Sequence, residues 1–385
     1  MAKSRQKPKK LSVGFLYDDT LDSNDGVSQY VKTLGAWLSN RGHKVSYLVG
    51  ETTIDGYSGG KVYSLAKNVA VVFNGNRLSI PLPASRKKIR RALKDARPDV
   101  LHVQVPYSPF MSQKVINTNK HAAIVGTFHI FPASRLVGFS AHFLRLAYGR
   151  SLKRFDSIRS VSPPAQDFAR GAFKIDSQIL PNMVDVKAYK AVNAKVDPKK
   201  IVFVGRLVER KGCRYLIQAF ANLAKSQPDI KLVIAGHGEQ LAELKQMCKD
   251  LNIKDRVEFL GFVSEQEKMK LLASAAVACY PSLYGESFGI VLIEAMAAHA
   301  AVVVAGDNPG YHSVLEGKPE TLVDPKNIDD FALKLGNALN DKVLRQQLLS
   351  RQAELVKKYD VEVVGPQVEE WYAGAIANKL KTRHN

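Results

Sequence analysis

Ile201-Val202-Phe203-Val204-Gly205-Arg206-Leu207-Val208-Glu209-Arg210-Lys211-Gly212 reads as a short buried strand, a basic loop and the start of a helix. An apolar, β-branched run closed by glycine is a strand signal, and the apolar periodicity that follows it predicts a helix over 212–226. Outward from this unit the same alternation recurs along the chain. Strands are predicted at 11–17, 44–49, 100–105, 123–129, 157–162, 231–236, 257–261, 276–281 and 301–305, and helices at 27–41, 86–96, 134–154, 240–251 and 288–298. Strands that alternate with helices form parallel sheets covered on both faces, so the fold class is α/β. The polar stretch 187–199 interrupts the alternation before a fresh strand begins, and it is the expected linker.

A chain of 385 residues suits two domains better than one. The expected division is 1–190 and 198–360, with the segment 361–385, which carries Trp371 and Tyr372, returning to pack on the first half. Two doubly wound sheets facing each other enclose a cleft at the carboxyl ends of their strands, where ligands bind in such sheets. Site residues are therefore sought just after strands. Hydrophobic residues at 45% with 24% charged residues fit a globular protein and exclude disordered or fibrous classes. The apolar runs are strand-length, far short of the ~20 residues of a membrane-spanning helix. The basic N-terminus turns acidic at Asp18-Asp19, too soon for a secretory signal, so a cytoplasmic protein is expected. Cys213, Cys248 and Cys279 are odd in number and widely spaced, which points to incidental thiols and not to a metal or disulfide framework. No metal-ligand cluster stands out.

In the opening stretch, Arg206 can grip phosphate oxygens through paired donors and Lys211 supplies a point charge beside a helix N-terminus. A solvated basic turn has the same composition. Gly236 and Gly238, after the next strand, allow the close backbone approach a nucleotide donor needs, a feature also common in Gly-rich turns of this fold class. Pro281-Ser282-Leu283-Tyr284-Gly285-Glu286-Ser287-Phe288-Gly289-Ile290-Val291-Leu292-Ile293-Glu294-Ala295-Met296-Ala297 puts Glu286 in a loop, the amides of Ser287 to Gly289 at a helix start and Glu294 about two turns inside. A carboxylate in so apolar a helix needs a hydroxyl or cation partner, whether a ligand or a core Arg or Lys.

Together these stretches resemble the retaining glycosyltransferases of the glycosyltransferase family 4 type, whose GT-B architecture has two facing Rossmann-like domains; the resemblance covers nearly the whole chain. In that family the arginine and lysine of the first stretch hold the donor diphosphate, implying Arg206 and Lys211. The first glutamate of its E-x7-E motif orients the transferred sugar and the second binds the ribose, implying Glu286 and Glu294. Ser287, Phe288, Gly289 and Ile290 would line the donor, the backbone amides of Phe288 and Gly289 facing it. Asp25-Gly26-Val27-Ser28-Gln29-Tyr30, Arg41-Gly42-His43-Lys44-Val45, Val100-Leu101-His102-Val103 and Gly126-Thr127-Phe128-His129 look like the corresponding stretches of bacterial phosphatidylinositol mannosyltransferases. The likeness implies Gly26 beside the donor phosphates and His129 near the sugar and the acceptor hydroxyl, although Asp25 stands where glycine is usual. Glu265 and Lys268, three apart at a helix start, have the acceptor and donor that guanine's edge requires and match the related enzymes' positions, while an exposed i,i+3 pair would look the same. The implied donor is GDP-mannose; a UDP-sugar for another glycolipid or a polysaccharide is the alternative.

The formal charge of +20 predicts attraction to polyanions. Arg86, Lys87, Lys88, Arg90, Arg91, Lys94 and Arg97 crowd one helix whose Ile89, Ala92 and Leu93 form a narrow apolar stripe, the pattern of a helix lying on an anionic membrane. The segment 134–154 adds an amphipathic pattern that suits acyl chains or a core face equally. Nucleic-acid binding is the competing class, but the basic helix lacks interleaved aromatics and no nucleic-acid module surrounds it. The expectation is a peripheral enzyme on the inner face of the cell membrane, with a nucleotide-sugar donor and an anionic lipid acceptor. Same-face attack with retention follows from the resemblance. A divalent ion is not required in this reading, although Mg²⁺ can accompany the diphosphate.

Overall fold

A computed structural model describes residues 10–22, 25–73, 76–105, 111–130 and 151–384. The first half builds an eight-stranded sheet from β1 (Ser12–Tyr17), β2 (Lys44–Val49), β3 (Gly56–Tyr57), β4 (Gly60–Ser64), β7 (Val100–Gln104), β8 (Ala123–Phe128), β9 (Ser157–Ser160) and β10 (Gln178–Ile179). Its order is β10-β9-β8-β7-β1-β2-β4-β3, parallel except for β3. A separate hairpin joins β5 (Asn68–Phe73) to β6 (Asn76–Pro81). The second half is a six-stranded parallel sheet of β11 (Lys200–Val204), β12 (Lys231–Ala235), β13 (Val257–Gly261), β14 (Val277–Tyr280), β15 (Val302–Gly306) and β16 (Leu322–Val323), in the order β13-β12-β11-β14-β15-β16. Strand order reverses beside β1 in one sheet and beside β11 in the other, so the two switch points lie after Tyr17 and after Val204.

Helices cover the sheets: α1 (Gly26–Asn40), α2 (Arg86–Ala96), α3 (Met111–Thr118), α4 (Pro163–Phe173) and α5 (Val186–Lys190) precede β11. After it come α6 (Cys213–Ala224), α7 (Leu241–Asp250), α8 (Glu265–Ala273), α9 (Ile290–Ala297), α10 (Pro309–Leu315), α11 (Ile328–Asn340), α12 (Lys342–Leu355) and α13 (Val361–His384). The strands β11 and β15 are apolar on both faces because helices bury both, as parallel sheets require. The α/β, two-sheet class read from the sequence is the one observed. Strands β3 to β6, β10 and β16 escaped the sequence reading; β3, β10 and β16 have two residues each, too few to show a period.

The chain crosses between the halves twice, side by side. Val184 N–H donates to the Tyr359 carbonyl at 2.9 Å, and Val361 N–H to the Val184 carbonyl at 2.9 Å. Val184, Val186 and Tyr189 already pack in the second half's core, so the polar stretch 187–199 lies past the first crossing. Beyond the second crossing α13 returns to the first half, where Val364, Val368, Trp371 and Tyr372 are buried against Trp37, Leu34 and Val125. Arg41 holds Glu369 through two bonds of 3.0 Å, and His43 reaches the same carboxylate at 2.7 Å.

The apolar stripe of α2 does not face outward. Ile89 and Ala92 are buried in a core with Leu101, Val103, Met111 and Val115, and Leu93 packs half-buried against it, because the stripe is what closes that side of the sheet. Its cations Arg86, Lys87, Lys88, Arg90, Arg91 and Lys94 are exposed on the other face. A membrane-facing α2 therefore offers charge without apolar insertion. The helix expected over 134–154 falls almost wholly outside the described residues.

Candidate active site

The loops after β11 and β14 interlock. A β-carbon on Gly212, whose φ is +68°, would lie 2.0 Å from the Pro281 carbonyl oxygen, so only glycine lets these backbones meet. Leu283 N–H also donates to the Arg210 carbonyl at 2.8 Å. This contact brings three charges together: Lys211 Nζ and Arg210 each donate to Glu286 Oε1 at 2.8 Å. Burial by itself raises the Glu286 carboxyl, but the charges of Lys211 and Arg210 and hydrogen bonds from Lys211 and Ser282 outweigh it and hold Glu286 below the usual range. Burial, opposed by Glu286 and reinforced by Arg210 and Arg206, moves the Lys211 ammonium below its ordinary value. Arg206 is open to water yet walled by protein; this enclosure and Arg210 depress it, and Glu286 and Asp25 act the other way. It remains cationic, as a guanidinium does, and makes no hydrogen bond or salt bridge among the described residues.

Eight residues beyond Glu286, Glu294 is buried in α9 and accepts from Lys268 Nζ at 2.7 Å. Lys268 also meets Glu265 at 2.9 Å. Burial opposes the Lys268 charge, but the two carboxylates outweigh it and hold the ammonium above its ordinary value. Glu265 is in turn shared: Tyr189 donates to Oε1 at 3.2 Å, and Gln29 Nε2, from α1 in the first half, donates to Oε2 at 2.8 Å. The Ser264–Glu267 capping box starts α8 and fixes where Glu265 and Lys268 emerge.

Gly289, at φ +108°, caps α9, and Phe288 beside it is buried against Tyr359, ring centroids 5.4 Å apart. Ser287 bridges the halves, its hydroxyl donating to the His129 carbonyl and its own carbonyl accepting from Ser162. Gly26 opens α1 opposite Ile290; a β-carbon there would sit 3.5 Å from the isoleucine side chain. Asp25 is the N-cap, taking the amides of Val27 at 2.9 Å and Ser28 at 3.1 Å, which gives the unusual acidic residue a local structural reason. His129 follows β8, buried, with Nε2 2.7 Å from Gln104 Oε1, and burial pushes its pKa down to about 3.

Gly236 and Gly238 are packed closely against the neighbouring loop. A β-carbon on Gly236 would lie 1.8 Å from the Gly205 carbonyl oxygen, and one on Gly238 2.1 Å from the Leu207 oxygen. The close approach is between the ends of β11 and β12, and it supports the Arg206 loop. His129, Ser287, Glu286 and Lys211 thus form one connected run of contacts, while Glu265, Lys268 and Glu294 form a second, tied to the first half by Gln29. The α2 cations join neither. Arg210, Gln29, Tyr189 and Gln104 were not singled out from sequence; Arg210 alone carried a signal, as a third cation inside the opening stretch. Among the described residues no group of three or more His, Cys, Asp or Glu is arranged to hold a metal ion, and no helix is long and apolar enough to cross a membrane. The three cysteines are buried free thiols.

Residues 24–188 match the family described as Glycosyltransferase Family 4, and residues 185–355 match Glycosyl transferases group 1. The phosphatidyl-myo-inositol mannosyltransferase of Mycolicibacterium smegmatis is 32% identical over 373 residues, covering 94% of this chain and 93% of that one. The protein of the same name from Mycobacterium tuberculosis is 32% identical over 391 residues, covering 97% and 99%. In fold, the chain is similar to the sucrose-phosphate synthase of Thermosynechococcus elongatus, with a TM-score of 0.72 at 21% identity over 95% of this chain and 99% of that one.

Proposed function

The chain belongs to glycosyltransferase family 4, and on that premise we propose that it moves mannose from GDP-mannose to an anionic membrane lipid of the phosphatidylinositol type, with retention at the anomeric carbon. The observation that carries the reading is the gathering of Arg206, Arg210 and Lys211 around Glu286 at a strand switch point, in a chain collinear with the two mannosyltransferases. Arg206 and Lys211 receive the donor diphosphate. Arg206 is the cation without a protein partner among the described residues, so a diphosphate meets it without first displacing a carboxylate. Glu286 orients the sugar, Glu294 the ribose, and the amides of Ser287 to Gly289, with Ile290 and Gly26, close around the donor.

In the proposed reaction the bond from the anomeric carbon to the diphosphate breaks, and the acceptor hydroxyl forms its new bond on the same face. Its proton passes to the leaving phosphate oxygen, giving GDP and the mannosylated lipid. Charge developing on the diphosphate is what Arg206 and Lys211 stabilise. Glu286 is a poor nucleophile for a double displacement, since Lys211 and Arg210 already engage its carboxylate. Metal is not required, so turnover is expected to persist in a chelator. The exposed cations of α2 hold the enzyme at the inner face of the membrane, each contributing on the order of 1 kcal/mol.

A UDP-sugar remains the second reading for a specific reason: Lys268 lies between two carboxylates and Glu265 is occupied by Gln29 and Tyr189, so guanine must exchange with protein partners to use them. Transfer assays with GDP-mannose, UDP-glucose and UDP-galactose on liposomes containing phosphatidylinositol test both. Mannose on the lipid from GDP-mannose alone is the expected result; turnover from a UDP-sugar alone sinks the mannosyltransferase reading.

A further inference from the structure

His129 has two ring nitrogens, and the protein engages one of them. Nε2 lies 2.7 Å from Gln104 Oε1, while Nδ1 has no hydrogen-bond partner among the described residues. The orientation of the Gln104 amide follows from its other contact. Its Nε2 faces the His102 carbonyl at 3.5 Å, a long donor contact that turns the carboxamide oxygen to His129. An oxygen there can only accept, so the imidazole Nε2 must carry the proton.

The backbone holds Gln104 in this place at a cost. Gln104 is the last residue of β7 and fully buried, and Val105 after it adopts φ +55°, a left-handed conformation costly for a β-branched side chain. Val105 N–H is anchored to the Thr127 carbonyl at 3.1 Å, two residues before His129. The Tyr30 ring packs edge-on to the imidazole at 5.0 Å. Strain of this kind persists where the surroundings over-determine it, and here it aims one carboxamide at one imidazole.

We propose that Gln104 is a positioning residue of the active site: it fixes His129 as the Nε2–H tautomer and leaves the Nδ1 lone pair as a hydrogen-bond acceptor open to the cleft. The inference rests on the reading of His129 as a site residue. Its chemical consequence is that Nδ1 receives a hydrogen bond from a substrate hydroxyl, on the sugar or on the lipid headgroup. With burial holding the imidazole near pKa 3, His129 is too weak a base to keep that proton, so it aligns the hydroxyl and the leaving phosphate takes the proton.

The test is two-bond proton–nitrogen NMR on protein labelled in its 9 histidines, His129 assigned by loss of its signals in His129→Asn. At neutral pH the wild type is expected to show a protonated Nε2 and an unprotonated Nδ1. Gln104→Met, similar in length and lacking the acceptor, is expected to populate both tautomers and to lower kcat at least about tenfold while the donor KM moves less than about twofold. A wild-type Nδ1–H tautomer overturns the proposal, as does a Gln104→Met protein with unchanged spectrum or unchanged kcat. Should Gln104→Met fail to fold, the wild-type spectrum alone decides. The spectrum needs no substrate, so absence of transfer from every donor would count against the function and not against the tautomer.

Discussion

Glu286 is a buried carboxylate that stays ionised because two cations from the neighbouring loop reach one of its oxygens. Its depressed pKa stabilises the fold above the ordinary glutamate value near 4.5, and that contribution is lost as pH falls through the folded-state value. Replacing it by Gln keeps the shape and removes the charge. Glu286→Gln is expected to lower kcat on the order of a hundredfold and to cost about 1–3 kcal/mol of stability, read by steady-state kinetics and urea unfolding. Near-normal turnover would rule out the assigned site. His129 is held neutral where Glu286 is held charged, yet its pH dependence has the same sign. Its folded pKa of about 3 lies below the ~6.5 of an unfolded histidine, so between these values the unfolded chain binds a proton that the folded protein refuses. Stability should fall as pH drops below about 6.5, with His129 accounting for about 2 kcal/mol at pH 5. Melting curves at pH 7 and pH 5 check this: His129→Asn should show a smaller loss than the wild type, and an equal loss would mean that His129 is not buried neutral. The sequence could say that Glu294 needs a cation; it could not say that the cation is Lys268, because that contact spans 26 residues and depends on how α8 and α9 pack.

Helix α2 shows what periodicity reveals and what it withholds. The i, i+3 spacing of Ile89 and Ala92 told which side of the helix is apolar, but a stripe of that width fits a membrane surface or a protein core, and three-dimensional packing alone decides. Here the first sheet covers it. The strands β11, β12 and β15 were legible because burial on both faces writes a continuous apolar run, whereas the two residues each of β3, β10 and β16 carry no period at all. The two faces of α2 should separate experimentally. Ile89→Ala is expected to cost about 2–5 kcal/mol, since it empties a fully buried site. The double change Arg90→Glu and Arg91→Glu, on exposed positions, is expected to shift stability by no more than about 0.5 kcal/mol. It replaces two attractions by two repulsions, so binding to anionic vesicles should weaken on the order of a hundredfold or more at low salt in co-sedimentation. Vesicle binding that survives the double change would remove α2 from the membrane face.

At the scale of the molecule, two sheets are joined by a pair of parallel crossings and by α13, which belongs to one half in sequence and to the other in packing. The alternation of strands and helices made both halves readable, since each is specified by local pattern. Their facing is another matter: Gln29 and Glu265 are 236 positions apart, and no local pattern pairs them. This bond, with those of Ser287 to His129 and Ser162, closes the cleft from side to side. Under the proposed function the same Glu265 oxygens serve the nucleobase, so the donor must take over a bond that the protein makes to itself. Cleft opening is then a competition between Gln29 and the base. A hydrogen bond to a carboxylate contributes about 1.5–3 kcal/mol, enough to shift an open–closed equilibrium about tenfold or more. Gln29→Ala is therefore expected to raise the radius of gyration of the unliganded protein in small-angle X-ray scattering, and GDP should restore the compact value because the nucleotide supplies its own bridge between the halves. An unliganded Gln29→Ala protein as compact as the wild type would show that the Ser287 contacts hold the cleft without it, and Glu265 would then be free to read the base at no conformational cost.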